Sequence, residues 1–188
     1  MVYQNHIYDL LAHRRYSTYH RLLFMDKAID SKEMAQRVIM VTGGQRSGKS
    51  VFAEQLALKM SAHPAYLATA RVMDEEMRRR VEAHKNRRCD LWRNLEAPLG
   101  VESLAFSTNE TVLIDCLTMW AMNWLFEKKE NLDKAISELK HQIDLLIASG
   151  ASLIFVTNEI GLGGTSSNAL QRKFTDLQGL INQYVASL

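Results

Sequence analysis

The chain has 188 residues, 47% of them hydrophobic, so it is long enough to bury the core of one domain. Its formal net charge of +2 is too small to indicate a nucleic-acid partner. Two cysteines cannot build a disulfide framework, and the longest apolar runs are only strand-sized. We therefore expect a cytoplasmic protein without a membrane span.

The first 37 residues contain neither Gly nor Pro, and they carry His6, His13 and His20 at a spacing of seven. On a helix, successive histidines would lie two turns or about 10 Å apart, which is too far to share one metal ion. We predict that residues 1–37 are an N-terminal extension outside a main domain at residues 38–188. A basic targeting peptide is the alternative.

From Val38 onward, apolar runs alternate with amphipathic segments, which predicts an α/β fold with a mostly parallel sheet and flanking helices. The predicted strands are Val38–Thr42, Ala65–Thr69, Thr111–Asp115 and Ser152–Thr157. The predicted helices are Ser50–Ser61, Glu75–Arg87, Leu117–Glu127, Leu132–Ala148 (ended by Gly150) and one from about Asn168 to Ser187. A helix after the fourth strand usually leads into another strand, so we expect that a C-terminal strand is missing.

The segment Gly43-Gly44-Gln45-Arg46-Ser47-Gly48-Lys49-Ser50 matches G-x-x-x-x-G-K-[ST] between a predicted strand and a predicted helix. Such a loop directs backbone N–H groups and a helix N-terminus at one anion. Lys49 is then expected to reach the β- and γ-phosphates, and the Ser50 hydroxyl to bind Mg²⁺. A Gly-rich turn that matches by accident is the alternative. The strand–loop–helix context favours a nucleotide-binding P-loop.

Polar residues also follow two other predicted strands. Asp115 ends an apolar run, as in a Walker B strand, and would hold Mg²⁺ directly or through water. The alternative is a cap for the helix that begins at Leu117. Asn158 and Glu159 follow the fourth strand, at the edge where open α/β sheets bind ligands. They could equally cap the next segment.

The predicted helix Glu75–Arg87 places His84 on the same face as Met77, Val81 and Arg88. A histidine on such a face is more often a packing residue than a catalyst. Several cationic side chains nevertheless lie within one turn of it and offer a docking surface for phosphates. A neutral imidazole beside a polyphosphate would be a nucleophile at phosphorus.

Together these motifs resemble a known family, the bifunctional adenosylcobinamide kinase/adenosylcobinamide-phosphate guanylyltransferases. The resemblance rests on the P-loop, Ala68-Thr69-Ala70, Asp74-Glu75-Glu76-Met77, His84-Lys85 with Arg88, Trp92, Glu96 with Pro98, Val156–Gly163 and Asn168-Ala169-Leu170. These motifs occur in order over about residues 37–188. The histidine motif joined to Thr-Asn-Glu-x-Gly-x-Gly is their most specific part.

The resemblance implies an α/β fold of the P-loop NTPase (RecA-like) type and two reactions. A hydroxyl of adenosylcobinamide takes the γ-phosphoryl group of ATP or GTP, and His84 then carries GMP from GTP to adenosylcobinamide phosphate. Lys49 and His84 would be catalytic, with Ser50 and Asp115 as ligands of Mg²⁺. Nucleotide contacts are implied at Gly43, Gly44, Gln45, Arg46, Ser47, Gly48, Lys49, Ser50, Ala68, Thr69, Ala70, Lys85, Asn86, Arg87, Arg88, Glu96 and Asp115. The family also implies a homo-oligomer, commonly a trimer.

The sequence departs from the family pattern at several positions. Cys89 replaces a usual Pro, Asn94 a common Thr, and Gly164-Thr165-Ser166 a more apolar segment. We expect these changes to alter substrate-loop geometry more than chemistry. The missing strand would expose a sheet edge. Two other interpretations therefore remain: a P-loop kinase without guanylyltransferase activity, and an inactive nucleotide-binding fragment.

Overall fold

Five parallel strands form the centre of the computed structural model, which describes residues 36–72, 74–88 and 90–188. Inside one helix, it describes only the backbone of Arg80, Ala83, His84, Asn86 and Arg87. The strands are β1 (Val38–Gly43), β2 (Ala65–Ala68), β3 (Arg93–Glu96), β4 (Thr111–Asp115) and β5 (Ser152–Asn158). They lie in the order β1-β5-β4-β2-β3, and each neighbouring pair is parallel. The prediction of a mostly parallel α/β sheet is confirmed.

Five helices and a short 3₁₀ turn connect or follow these strands. They are α1 (Lys49–Met60), α2 (Glu75–Arg87), α3 (Leu117–Glu127), α4 (Leu132–Ala148), the turn Gly161–Gly163 and α5 (Ala169–Ala186). The ends of α2, α3 and α4 are those predicted, and α1 and α5 differ from the prediction by about one residue at each end. Gly150 follows α4 with φ +76°, a conformation that favours glycine, which confirms it as the helix stop.

The sequence prediction missed β3. Its residues are Arg93-Asn94-Leu95-Glu96, which lack the apolar run that marks a buried strand. Among the described strands, β3 lies at an edge of the sheet and pairs with β2 alone, from Ala65 opposite Arg93 to Ala68 opposite Glu96. An edge strand needs fewer apolar side chains, so its pattern is weak.

Alternating side chains divide the core into two clusters, one on each face of the sheet. On β5, Leu153 and Phe155 pack with α3, α4 and α5, whereas Ile154 and Val156 pack with α1. Tyr66 of β2 lies on the α1 face, together with Trp92. The larger cluster therefore anchors the sheet to three helices, and the smaller one supports the segment that follows β1.

Hydrogen bonds of Gln36 and Arg37 attach the start of the described chain to the end of α4 and the start of β5. The Gln36 amide donates to the carbonyls of Ile147 and Ala151, and Arg37 N donates to Ser152 Oγ. Residues 1–35, including the spaced histidines, lie outside the described residues. The N-terminal extension and the missing C-terminal strand both stay predictions. In the described part of the chain, no helix is both long and apolar enough to cross a bilayer.

Candidate active site

The register of the sheet brings the predicted site residues to one edge. Gly43 pairs with Asn158, and Ala68 pairs with Asp115 on one side and Glu96 on the other. These are the last residues of their strands, so the loops that follow all leave from the carboxyl edge. This is the edge where open α/β sheets bind ligands.

The P-loop forms a concave stretch of backbone between β1 and α1. Arg46 has φ +59° and Gly48 has φ +86°, so two positions of this loop are left-handed. Such alternation turns successive N–H groups toward one point. Gly48 is the N-cap of α1 and supplies no side-chain cap. A Cβ at Gly44 or Gly48 would meet nothing within 4 Å, so the loop has open space beside it that fits a phosphate group.

Lys49 lies against this loop, and its Nζ donates to the carbonyl oxygen of Gly44 at 3.1 Å. Partial burial lowers the pKa of Lys49, and the charge of Asp115 opposes that shift. Burial first, and Asp115 second, raise the pKa of the neighbouring Cys116 thiol to about 11. The thiol is therefore neutral at neutral pH, and Asp115 is the anion that acts on Lys49.

Asp115 ends β4, and its Oδ2 accepts a hydrogen bond from the Tyr66 hydroxyl at 2.8 Å. The N-cap of α3 is Cys116 rather than Asp115, so Asp115 does not fill the predicted capping position. Its carboxylate and the hydroxyl of Ser50, in the first turn of α1, are hard oxygen donors of the type that Mg²⁺ binds. Among the described residues, no three His, Cys, Asp or Glu side chains form a metal-binding group. This donor set fits an ion that is held mainly by substrate phosphates and water.

A cleft of about 350 Å³ opens beside β2 and β3. It is lined by Tyr66, Ala68, Lys85, Arg88, Asn94, Leu95 and Glu96. Its volume is at the lower end of the range for small-molecule sites. The structure thus brings together Ala68, Lys85, Arg88 and Glu96, four of the positions for which the family resemblance implied nucleotide contacts.

Two cationic side chains among the described residues line this cleft, and the contacts of each are defined. Lys85 Nζ forms a salt bridge of 2.8 Å with Glu96 Oε1, and both side chains are largely exposed. The guanidinium of Arg88 lies 3.5 Å from the centre of the Tyr66 ring, and its Nε donates to Asn94 Oδ1 at 2.9 Å. Arg88 Nη1 is buried and has no hydrogen-bond partner among the described residues. The cleft is therefore lined by a partly buried guanidinium, a group whose charge and planar donors favour phosphate.

His84 occupies the last turn of α2, directly before Lys85. Its side chain, like those of Asn86 and Arg87, lies outside the described part, so their roles stay predictions. Asp74 caps the start of α2 by accepting a hydrogen bond from Met77 N at 2.7 Å. The start of α2, the helix that carries His84, is therefore fixed by a side-chain cap.

The Ala68-Thr69-Ala70 segment is fixed by buried hydrogen bonds. The Thr69 hydroxyl is fully buried and donates to the carbonyl of Cys116 at 2.8 Å. Asn123 of α3 donates to the carbonyls of Thr69 and Pro98, at 2.7 and 2.8 Å. The Thr69 hydroxyl is thus used inside the protein, and the nucleotide contact predicted for this segment stays a prediction.

The polar residues after β5 serve the fold in part. Glu159 Oε1 accepts a hydrogen bond from Gly161 N at 2.7 Å, at the start of the 3₁₀ turn, whose N-cap residue is Ile160. Asn158 N donates to Thr118 Oγ1 at 2.9 Å. Asn158 Oδ1 is buried and has no partner within the described ranges. Glu159 therefore stabilises the backbone of the next segment, and a ligand contact of Asn158 stays a prediction.

Sequence reasoning missed the roles of Tyr66 and Asn94. The sequence places Tyr66 in a predicted buried strand and Asn94 at a departure from the family pattern, and neither position predicts a contact with Arg88. A tyrosine inside an apolar strand needs a partner for its hydroxyl, and this signal pointed toward a nearby polar group. No local pattern in the sequence pairs Asn94 with Arg88.

Comparison with known proteins gives a consistent result. The model of the family described as "Cobinamide kinase / cobinamide phosphate guanyltransferase" matches residues 39–188. The chain is 35% identical over 164 residues to the "Bifunctional adenosylcobalamin biosynthesis protein CobU" of Escherichia coli K12, covering 80% of this chain and 90% of that protein. The protein of the same name from Salmonella typhimurium LT2 gives the same identity and coverage.

A third relative comes from another organism. The chain is 37% identical over 151 residues to the "Bifunctional adenosylcobalamin biosynthesis protein CobP" of Pseudomonas aeruginosa, covering 78% of this chain and 86% of that protein. The matched residues include the P-loop and every element from β2 to α5. The chain therefore belongs to the cobinamide kinase / cobinamide phosphate guanyltransferase family.

Proposed function

We propose that this protein catalyses two successive transfers on one corrinoid substrate. The first phosphorylates the hydroxyl of adenosylcobinamide with ATP or GTP. The second joins GMP from GTP to the resulting phosphate and gives adenosylcobinamide-GDP. The family membership supports both activities. The P-loop and the cleft beside β2 and β3 lie at the same edge of the sheet, and we assign one transfer to each.

In the kinase step, the substrate hydroxyl attacks the γ-phosphorus, the bond to the bridging oxygen of the nucleoside diphosphate breaks, and the hydroxyl proton is lost. The P-loop backbone binds the phosphates, and Lys49 places positive charge beside them. A bound Mg²⁺, held by Ser50 and Asp115, would neutralise phosphate charge. The protein's contribution is positioning and charge stabilisation, which suffices for phosphoryl transfer.

In the guanylyl step, an imidazole nitrogen of His84 attacks the α-phosphorus of GTP. A phosphorus–nitrogen bond forms, and pyrophosphate leaves. An oxygen of the corrinoid phosphate then attacks the same phosphorus, the phosphorus–nitrogen bond breaks, and the imidazole is free again. Lys85 and Arg88 would bind the transferred phosphate. The covalent intermediate on His84 would divide one difficult transfer into two easier ones.

One observation carries this proposal over a simple P-loop kinase. The cleft beside β2 and β3 is lined by two cationic residues, Lys85 and Arg88, outside the P-loop itself. A kinase that uses only the P-loop has no need of a second cationic site close to a histidine. The alternative remains a small-molecule kinase in which His84 packs or pairs with phosphate.

The test is to incubate the protein with GTP labelled at the α-phosphate and to separate protein from nucleotide under denaturing conditions. We expect covalent label that is released by acid and survives alkali, as a phosphorus–nitrogen bond to imidazole would. GTP labelled at the γ-phosphate is the control and should leave no label. Phosphorylation of adenosylcobinamide without α-label would establish the simple kinase instead.

The proposal also includes a magnesium requirement and assembly as a homo-oligomer, a trimer by the family resemblance. Both transfers should stop when Mg²⁺ is chelated and resume when it is restored. Light scattering during size-exclusion chromatography measures the assembly, and a mass near three times 21.5 kDa is the expected result.

A further inference from the structure

One aromatic side chain contacts both Asp115 and the cleft cation Arg88. Tyr66 is only 4% exposed and lies in β2 between the P-loop edge and the cleft. Its hydroxyl donates to Asp115 Oδ2, and its ring face carries the guanidinium of Arg88. Trp92 packs against the ring edge-on, with the ring centroids 6.0 Å apart. The orientation of the ring is thus fixed by packing.

We propose that Tyr66 is a positioning residue that orients the Asp115 carboxylate and the Arg88 guanidinium at the same time. The inference rests on the proposed function, in which Asp115 faces Mg²⁺ and Arg88 faces a nucleotide phosphate. Tyr66 itself need not touch the substrate. It acts through the two charged groups that do.

The hydroxyl restrains Asp115 because it donates a hydrogen bond to one carboxylate oxygen from a side chain that is itself buried. With Oδ2 held at 2.8 Å, rotation of the carboxylate about its Cβ–Cγ bond is restricted. Groups that hold a metal ligand in this way typically affect metal affinity as strongly as 10- to 100-fold.

The Tyr66 ring restrains Arg88 by stacking on its guanidinium, and Asn94 restrains it by accepting a hydrogen bond from Nε. Asn94 Nδ2 donates to the carbonyl of Trp92 at 3.3 Å, which orients Asn94 Oδ1 toward Arg88 Nε. A guanidinium that is stacked and hydrogen-bonded in this way loses little further freedom when it binds an anion. Its Nη1 is buried and lacks a partner in the described part of the chain, so the position of the guanidinium depends on the Tyr66 ring and Asn94.

The test separates the hydroxyl from the ring. Tyr66→Phe keeps the ring beneath Arg88 and removes only the hydrogen bond to Asp115. Binding of a fluorescent GTP analogue is measured during a Mg²⁺ titration, so the readout does not require turnover. We expect the Mg²⁺ concentration at half-maximal binding to rise roughly 10-fold. At saturating Mg²⁺, Tyr66→Phe should retain more covalent labelling than Tyr66→Leu, because Tyr66→Leu also removes the ring that stacks on Arg88.

A matched control exists on the other face of the sheet. The Tyr184 hydroxyl on α5 donates to Asp144 on α4, so Tyr184→Phe removes the same kind of hydrogen bond away from the site. It should leave the Mg²⁺ dependence unchanged. In an Asp115→Asn background, Tyr66→Phe should add no further shift, because its effect passes through Asp115.

Parent-like Mg²⁺ dependence of Tyr66→Phe would overturn the inference while leaving the proposed function intact. An equal shift in Tyr184→Phe would also overturn it, since general destabilisation would then explain the effect. A parent protein without Mg²⁺-dependent GTP binding would instead overturn the proposed function, and this inference with it.

Discussion

The P-loop and the cleft, the two halves of the candidate site, differ in which protein groups form them. The P-loop is made of backbone, with its left-handed residues Arg46 and Gly48 and its contacts among consecutive residues. The cleft is made of side chains from distant parts of the chain, with Arg88, the C-cap residue of α2, stacked on Tyr66 of β2 and hydrogen-bonded to Asn94 of β3. A backbone site is defined by its local sequence, whereas a side-chain site depends on how distant elements pack. We therefore expect single substitutions to separate the two halves.

The largest effect should follow from His84→Ala. Removal of a catalytic nucleophile lowers rates by roughly 10⁶-fold, so no covalent GMP should be detectable. Phosphorylation of adenosylcobinamide should stay near the parent level, because that step needs no nucleophile from the protein. The control is His141→Ala, which removes an exposed histidine on α4. Equal loss of both activities in His84→Ala would show that the two halves act as one site.

Lys49→Ala should affect both reactions, because one loop holds the triphosphate in each. Loss of one preorganised charge-stabilising group typically lowers the rate by roughly 100- to 1000-fold. Lys59→Ala, in the last turn of the same helix, is the matched control and should behave as the parent. Near-parent rates for Lys49→Ala in steady-state assays would contradict the assignment of catalysis to the P-loop.

Arg88→Ala should affect only the cleft. Hydrogen bonds to charged groups contribute about 1.5–3 kcal/mol, so we expect guanylylation to slow by roughly 10- to 100-fold. Arg88→Lys should restore little, because an ammonium cannot both stack on Tyr66 and bind Asn94 in the same way. The rates of covalent labelling and of corrinoid phosphorylation are measured in parallel.

The control for Arg88 is Arg78→Ala on the same helix, which removes only an exposed ion pair with Glu75. It should change neither rate. An Arg88→Ala variant that lost corrinoid phosphorylation as strongly as guanylylation would contradict the separation of cleft and P-loop.

The smallest effect should follow from deletion of residues 1–35. The deletion ends there because Gln36 and Arg37 hydrogen-bond to the main domain. If both halves of the site are complete without the extension, nucleotide affinity and both rates should be unchanged. Equilibrium titration and the two rate assays check this, and a large loss would assign the extension to the fold.

The sequence allowed most of the fold to be predicted, because four strands have continuous apolar runs and α2 and α4 have polar caps. Asp74 and Asn131 both accept hydrogen bonds from the first turn of the helix that follows. β3 was missed because edge pairing, rather than an apolar pattern, makes it a strand. Backbone pairing with a distant segment places few demands on local composition, so the composition of β3 does not predict a strand.

The candidate site shows the same division. The P-loop could be predicted from eight consecutive residues, since its geometry is local. The positions of Lys85, Arg88 and Glu96 in one cleft could be anticipated only from the family resemblance. The bond from Tyr66 to Asp115 links strands that are neighbours in the sheet but far apart in sequence, and no spacing rule predicts it.

The place of β5 in the sheet has a consequence for protein synthesis. Among the described strands, β1 pairs with β5 alone, and their pairing begins at Val38 and Leu153, which lie far apart in the chain. As the chain leaves the ribosome, the strand that carries the P-loop therefore lacks a partner among the described strands until β5 has emerged. Pairing over such a distance is slow to form. Nascent chains stalled before residue 158 should bind no nucleotide, so the P-loop gains its ligand only after β5 has been made.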